Sequence, residues 1–185
     1  HEEERHDRPI ILWNQRWEYD KNPETFFRAL YALQEEGVDF RVAIAGKNYR
    51  QTAPQFEAAR DRLGDRVMHF GCAEADAYAS LLKRADIVVS TAIHEFFGIS
   101  VVEAVYARCF PVLPKRLSYP ELVPKEHQAA CLYSSFDGLL RRLRWAVEHV
   151  EDARRTAESL RASVRRFDWQ FLAPTYDDTI ERSCL

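Results

Sequence analysis

The stretch "ADIVVSTAIHEFFGISVVEAVYARCFPVLP", Ala85 to Pro114, decides the fold. "DIVVST" (Asp86–Thr91) is a continuous apolar run ending in two hydroxyls, and it reads as a buried strand. "FPVLP" (Phe110–Pro114) is a second such strand. Between them, Ile99–Arg108 has helical spacing, with Ile99, Val102 and Val105 predicted to pack inward. Strand, helix and strand in this order form a βαβ unit. Strands without polar alternation belong to a parallel sheet covered on both faces.

The same alternation extends outward in both directions. Upstream strands are expected at "IILW" (Ile10–Trp13), "FRVAIAG" (Phe40–Gly46) and "RVMHFG" (Arg66–Gly71). Helices are expected at Lys21–Glu36, Phe56–Leu63 and Glu74–Arg84. Downstream, "AACLY" (Ala129–Tyr133) reads as a sixth strand. One long helix is expected from Asp137 to Arg166, with Leu139, Leu143, Val147, Val150, Ala157, Leu160 and Val164 as its apolar stripe. A last helix covers Trp169–Arg182. The class is α/β, a doubly wound, Rossmann-like parallel sheet of about six strands. Such sheets bind ligands at the carboxyl ends of their strands, beside a topological switch point. Function is therefore expected in the loops after Trp13, Gly46, Phe70 and Thr91.

The chain has 185 residues, 46% apolar and 30% charged, with a net charge of −3. These values fit an ordinary globular domain, and nothing global demands nucleic acid. None of the four cysteines sits in a CxxC pair, which argues against a metal ribbon or redox motif. Cys109 and Cys131 read as buried thiols of a cytosolic protein. No signal peptide or run of about 18 apolar residues is visible, so a cytoplasmic location without membrane contact is expected. The charged opening run "HEEERHDRP" reads as a linker, residues 1–8, within a longer protein.

In the loop after the first strand, Arg16 and Lys21 stand beside a helix start marked by Pro23. Two cations at a helix N-terminus suit a diphosphate. The alternative is that Arg16 pairs with Glu18 or Asp20 at the surface. Gly46 allows close approach of backbone to a ligand, or is a simple turn glycine. Met68 and Phe70 read as core rather than as cofactor contacts, and His69 faces the other way, either as a rim residue or as an unremarkable polar one. No G-x-G-x-x-G follows the first strand, so a nicotinamide-type site is poorly supported.

Glu95 falls in the loop after the fourth strand, and Gly98 turns the chain into the next helix. The amides of Phe97, Gly98 and Ile99 are expected to be free for a phosphate. Glu103 can accept both hydroxyls of a ribose, and Glu95 those of a second sugar. The alternative for the pair is a capping glutamate and a solvated helix glutamate. The arginines of the long helix (Arg141, Arg142, Arg144, Arg154, Arg155, Arg161, Arg165, Arg166) either face nucleic-acid phosphates or form a solvated face with interspersed carboxylates.

At Glu95 and Glu103 the sequence resembles the E-x7-E motif of retaining GT-B glycosyltransferases of the family-4 type. Arg16 and Lys21 resemble the pair that binds the donor diphosphate there. "RRFDW" (Arg165–Trp169) resembles the junction before the family's final crossover helix. "WNQRWEYDKNPETFF", "STAIHEFFGISVVEA" and "LPKRLSYPEL" resemble the tRNA-queuosine mannosyltransferase subgroup. Arg108 departs from the wider family, which has a small residue ahead of the fifth strand.

The resemblance implies a donor-binding domain at 9–167 and a crossover helix at 168–185, with the acceptor-binding N-terminal domain absent from this chain. It implies mannose transfer from GDP-mannose to queuosine in tRNA, with no metal and no cofactor. Catalysis would rest on Arg16, Lys21 and Glu95. Donor binding would rest on Gly46, His69, Phe70, Phe97, Gly98, Ile99 and Glu103. The partners would be the nucleotide sugar, tRNA and the protein's own N-terminal domain, and the isolated chain would transfer little. Alternatives are another nucleotide sugar with a non-tRNA acceptor, or a non-catalytic nucleotide-binding or interaction domain.

Overall fold

A computed structural model describes residues 8–47 and 54–183. Residues 1–7 of the expected linker, Asn48 and Tyr49 of the "AGKNY" stretch, and Cys184 lie outside the described residues. In chain order the elements are β1 (Ile10–Trp13), α1 (Pro23–Glu35), β2 (Arg41–Ala45), α2 (Pro54–Leu63), β3 (Val67–Gly71) and α3 (Ala75–Arg84). Then come β4 (Ile87–Val89), α4 (Ile99–Tyr106), β5 (Phe110–Pro114), α5 (Tyr119–Leu122), α6 (Gln128–Cys131) and β6 (Leu132–Tyr133). The C-terminal part is helical: α7 (Phe136–Glu148), α8 (Val150–Val164) and α9 (Trp169–Ser183).

The strands form one parallel sheet in the order β3-β2-β1-β4-β5-β6. This is the doubly wound Rossmann-like arrangement that the apolar runs predict. β1, β4 and β5 are buried along their whole length, as strands covered on both faces must be. β3 is the half-buried edge strand. Because β1 neighbours both β2 and β4, chain direction across the sheet reverses there. The loops that leave β1 and β4 therefore meet at the switch point.

A buried carboxylate ties the helical layer to this centre. Asp86 accepts the Ile10 amide at 2.8 Å and Arg154 Nε at 2.8 Å, joining the ends of β1 and β4 to α8. On the other side, Trp13 stacks on Phe26 of α1 at 5.6 Å, and Trp17 stacks on Phe56 of α2 at 4.2 Å.

The expected long helix is two helices. The chain breaks at His149 (φ −122°, ψ 47°), whose carbonyl accepts the Asp152 and Ala153 amides and so starts α8 afresh. The apolar stripe runs through both halves, so its spacing hides the bend. The expected sixth strand is largely helical: Gln128–Cys131 forms α6, and Leu132 and Tyr133 alone pair with Leu113 and Pro114. Alanine is a weak strand former, and a short apolar run does not separate strand from helix. The first helix starts at Pro23, not Lys21, after a tight 3-10 turn over Tyr19–Lys21. Asn22 caps it from a left-handed conformation (φ 50°), accepting the Thr25 amide.

Candidate nucleotide-sugar site

Backbone bonds hold the β1 and β4 loops together. The Asp20 carbonyl accepts the amides of Ile93 at 2.7 Å and His94 at 3.3 Å. Thr91 Oγ1 donates to the carbonyls of Lys21 at 2.8 Å and Asn22 at 3.0 Å. The two hydroxyls that end the "DIVVST" run are thus structural: Ser90 Oγ meets Tyr119 Oη at 2.7 Å, and Thr91 staples the loops. Burial holds the Tyr119 phenol neutral, its pKa pushed up to about 12.

This staple brings Lys21 and Glu95 into contact. Lys21 is only 7% exposed, and its Nζ donates to Glu95 Oε2 at 3.0 Å and to the His94 carbonyl at 2.9 Å. Asp20 Oδ2 lies 3.4 Å from both Lys21 Nζ and Arg16 Nη2. Arg16 also pairs with Glu18 at 3.2 Å, the surface pairing that its neighbours in sequence allow. With Arg16 and Lys21 set against Glu18, Asp20 and Glu95, carboxylates outnumber cations in this cluster.

The start of α4 is open. Gly98 has φ 84°, and a Cβ there would lie 3.2 Å from Tyr119 Cε1 and 3.6 Å from Glu95 Cγ. Its carbonyl accepts Val101 and Val102, whereas no acceptor among the described residues takes the amides of Phe97, Gly98 or Ile99. Ile99 departs from expectation: it is 62% exposed, while Val101, Val102, Ala104 and Val105 are buried. Ile99 and Glu103 are four residues apart and share the outer face of α4. That face borders a groove of about 780 Å³ between α3, α4 and α9, where Phe97 meets Phe167 edge-on at 4.9 Å.

A smaller cleft of about 240 Å³ opens at the carboxyl ends of β1, β2 and β3, lined by Asn14, Gln15, Arg16, Gly46, Cys72 and Tyr78 among others. Gly46 is required there: a Cβ would sit 2.1 Å from the Gln15 carbonyl oxygen. The close approach it permits is thus to the β1 loop. His69 and Phe70 do not line this cleft. His69 Nε2 lies 3.0 Å from the Gly71 carbonyl, and Phe70 packs on Trp17 at 4.7 Å. Cys72 and Ala73, just beyond β3, reach the cleft instead.

Tyr78 lines both openings. Its hydroxyl donates to Glu103 Oε2 at 2.8 Å and accepts from Asn14 Nδ2 at 3.0 Å. Tyr78 lies in no motif, and Asn14 and Gln15 lie in the "WNQRWEYDKNPETFF" stretch but are neutral beside Arg16 and Lys21, so spacing and charge single out none of the three. Among the described residues, no group of three or more His, Cys, Asp or Glu is placed to hold a metal ion. No described helix is long and apolar enough to cross a membrane. Several arginines of α7 and α8 are held internally: Arg144 by Glu36, Arg154 by Asp86 and Glu151, and Arg155 by Asp152.

Sheet order, the stapled switch-point loops and the open α4 terminus define a Rossmann-like domain of the GT-B type. The family model for glycosyl transferases group 1 matches residues 1–162, and the chain belongs to that family. It is 41% identical over 133 residues to the tRNA-queuosine alpha-mannosyltransferase of Drosophila melanogaster, covering 72% of this chain and 34% of that protein. It is 26% identical over 180 residues to the GDP-mannose:cellobiosyl-diphosphopolyprenol alpha-mannosyltransferase of Xanthomonas campestris, covering 91% of this chain and 45% of that protein. The chain thus spans less than half the length of these relatives. Its fold matches the Anabaena protein HepE, solved with UDP and glucose, with a TM-score of 0.80 at 19% identity, covering 95% of this chain and 49% of that one.

Proposed function

We propose that this chain is the donor-binding domain of a retaining mannosyltransferase that moves mannose from GDP-mannose to queuosine in tRNA. The observation that carries the donor site is the contact of Lys21 with Glu95 beside the unpaired amides of Phe97, Gly98 and Ile99. A diphosphate lying there meets a buried ammonium, a helix N-terminus and, once Arg16 leaves Asp20, a guanidinium. These groups stabilise charge on the departing diphosphate as the bond to the sugar breaks. Glu95 accepts hydroxyls of the donor sugar and Glu103 those of the ribose. The reading needs no metal, because the cations and helix amides supply the positive field. The choice of mannose, guanine and queuosine rests on the named relatives. In this reading the acceptor is bound by a domain outside this chain, in the cytoplasm, so the chain binds donor but transfers little alone.

A thermal-shift panel of GDP-mannose, GDP, UDP-glucose and UDP tests the reading, since a ligand of the native state raises apparent stability. GDP-mannose and GDP should raise the melting temperature more than their uridine counterparts. A larger rise with UDP-glucose replaces the donor, and no rise with any of them favours an interaction domain.

A further inference from the structure

We infer that Tyr78, held by Asn14, is a positioning residue that aims the Glu103 carboxylate at the nucleotide's ribose. The inference rests on the donor-site reading above and adds two residues to it.

The hydrogen-bond directions follow from chemistry. Asn14 Nδ2 lies 2.8 Å from the Ser100 carbonyl, which can only accept, so the amide nitrogen faces that way. The second hydrogen of the same nitrogen goes to Tyr78 Oη at 3.0 Å. The tyrosine has one proton of its own, and Glu103 Oε2, at 2.8 Å, takes it. The phenol is kept protonated by burial and by the Glu103 carboxylate itself, both of which push its pKa up. Tyr78 is therefore a fixed donor.

The relay joins three separate elements: the end of β1, the first turn of α3 and the second turn of α4. Asn14 is rigidly seated, only 7% exposed, at the carboxyl end of a central strand. Among the described residues its Oδ1 is buried without a partner, and the residue lines the smaller cleft. Glu103, by contrast, is on an exposed helix face, where a glutamate samples many rotamers. One hydrogen bond removes that freedom. A carboxylate offers about four lone-pair sites, so Glu103 retains capacity for both hydroxyls of a cis-diol.

The test measures binding of GDP and of 2′,3′-dideoxy-GDP by calorimetry to the wild type and to Tyr78→Phe and Asn14→Ala. Tyr78→Phe removes one oxygen and keeps the ring. We expect it to weaken GDP about tenfold and leave dideoxy-GDP unchanged, the size of one charge-assisted hydrogen bond. Asn14→Ala should show the same selective loss. Equal weakening of both ligands, or no weakening of GDP, overturns the role of Tyr78 while leaving the donor site in place. A wild type that binds both ligands equally overturns the ribose role of Glu103 as well. A wild type that binds neither overturns the nucleotide site itself. Melting curves of the variants separate these outcomes from unfolding.

Discussion

Lys21 Nζ lies 3.0 Å from Glu95 Oε2, although the two residues are separated by three strands of sequence and lie on loops from different strands. The contact exists because β1 and β4 are sheet neighbours. A buried cation and a partly buried carboxylate from distant parts of the chain thus form one polar centre.

Lys21→Ala should weaken GDP by about 10- to 100-fold, the range for a charge-assisted hydrogen bond. Guanosine, which lacks the diphosphate, should lose little. Competition binding with both ligands checks this, and an equal loss for guanosine removes the diphosphate role.

Asp20→Asn should strengthen nucleotide binding. Asp20 Oδ2 sits 3.4 Å from both Arg16 and Lys21, and an anionic ligand must displace it. Removing the competing charge should tighten GDP by about two- to fivefold, the scale of partly exposed ion pairs. The gain should shrink as salt rises. Weaker binding at low salt would show that Asp20 orients the cations and does not compete for them.

Gly46→Ala should lower stability. The new Cβ meets a backbone oxygen at 2.1 Å, which no rotamer relieves. A cost of roughly 3 kcal/mol follows from overpacking against a fixed neighbour. The melting temperature should fall by about 6–12 °C. A fall under a few degrees would mean that the β1 loop shifts freely.

The start of α9 should loosen in acid. Asp168 accepts the Gln170 amide at 3.1 Å and the Tyr106 hydroxyl at 2.8 Å, and these bonds hold its carboxyl below the usual range, the backbone bond first. A lowered native pKa stabilises above the unfolded value, near 4, and this contribution is lost as pH falls through the native value. Trp169 adjoins this cap, so its fluorescence should report the loosening below about pH 4. Asp168→Asn should flatten that transition, and an unchanged transition would assign it to another group.

The fold was legible because its strands are short, apolar and bounded by turns. Ile10–Trp13, Arg41–Ala45 and Phe110–Pro114 sit where the runs place them. The bend at His149 was not, since Leu143, Val147, Ala153 and Ala157 keep one stripe across it. Within the site, Arg16, Lys21, Glu95 and Glu103 stand out as charges next to apolar runs and turns. Tyr78 does not, because its partners are 64 and 25 residues away and no local spacing marks them. Ile99 fits an apolar helical stripe, yet as the first residue after a left-handed glycine it turns outward.

The shared Asp20 carbonyl has a consequence for binding. Because Ile93 and His94 both donate to it, the β1 and β4 loops cannot slide past one another without breaking two backbone bonds. The two loops are thereby moored to each other before any ligand arrives. Under the donor-site reading, a diphosphate enters between loops that are already in place, so less ordering cost opposes its binding.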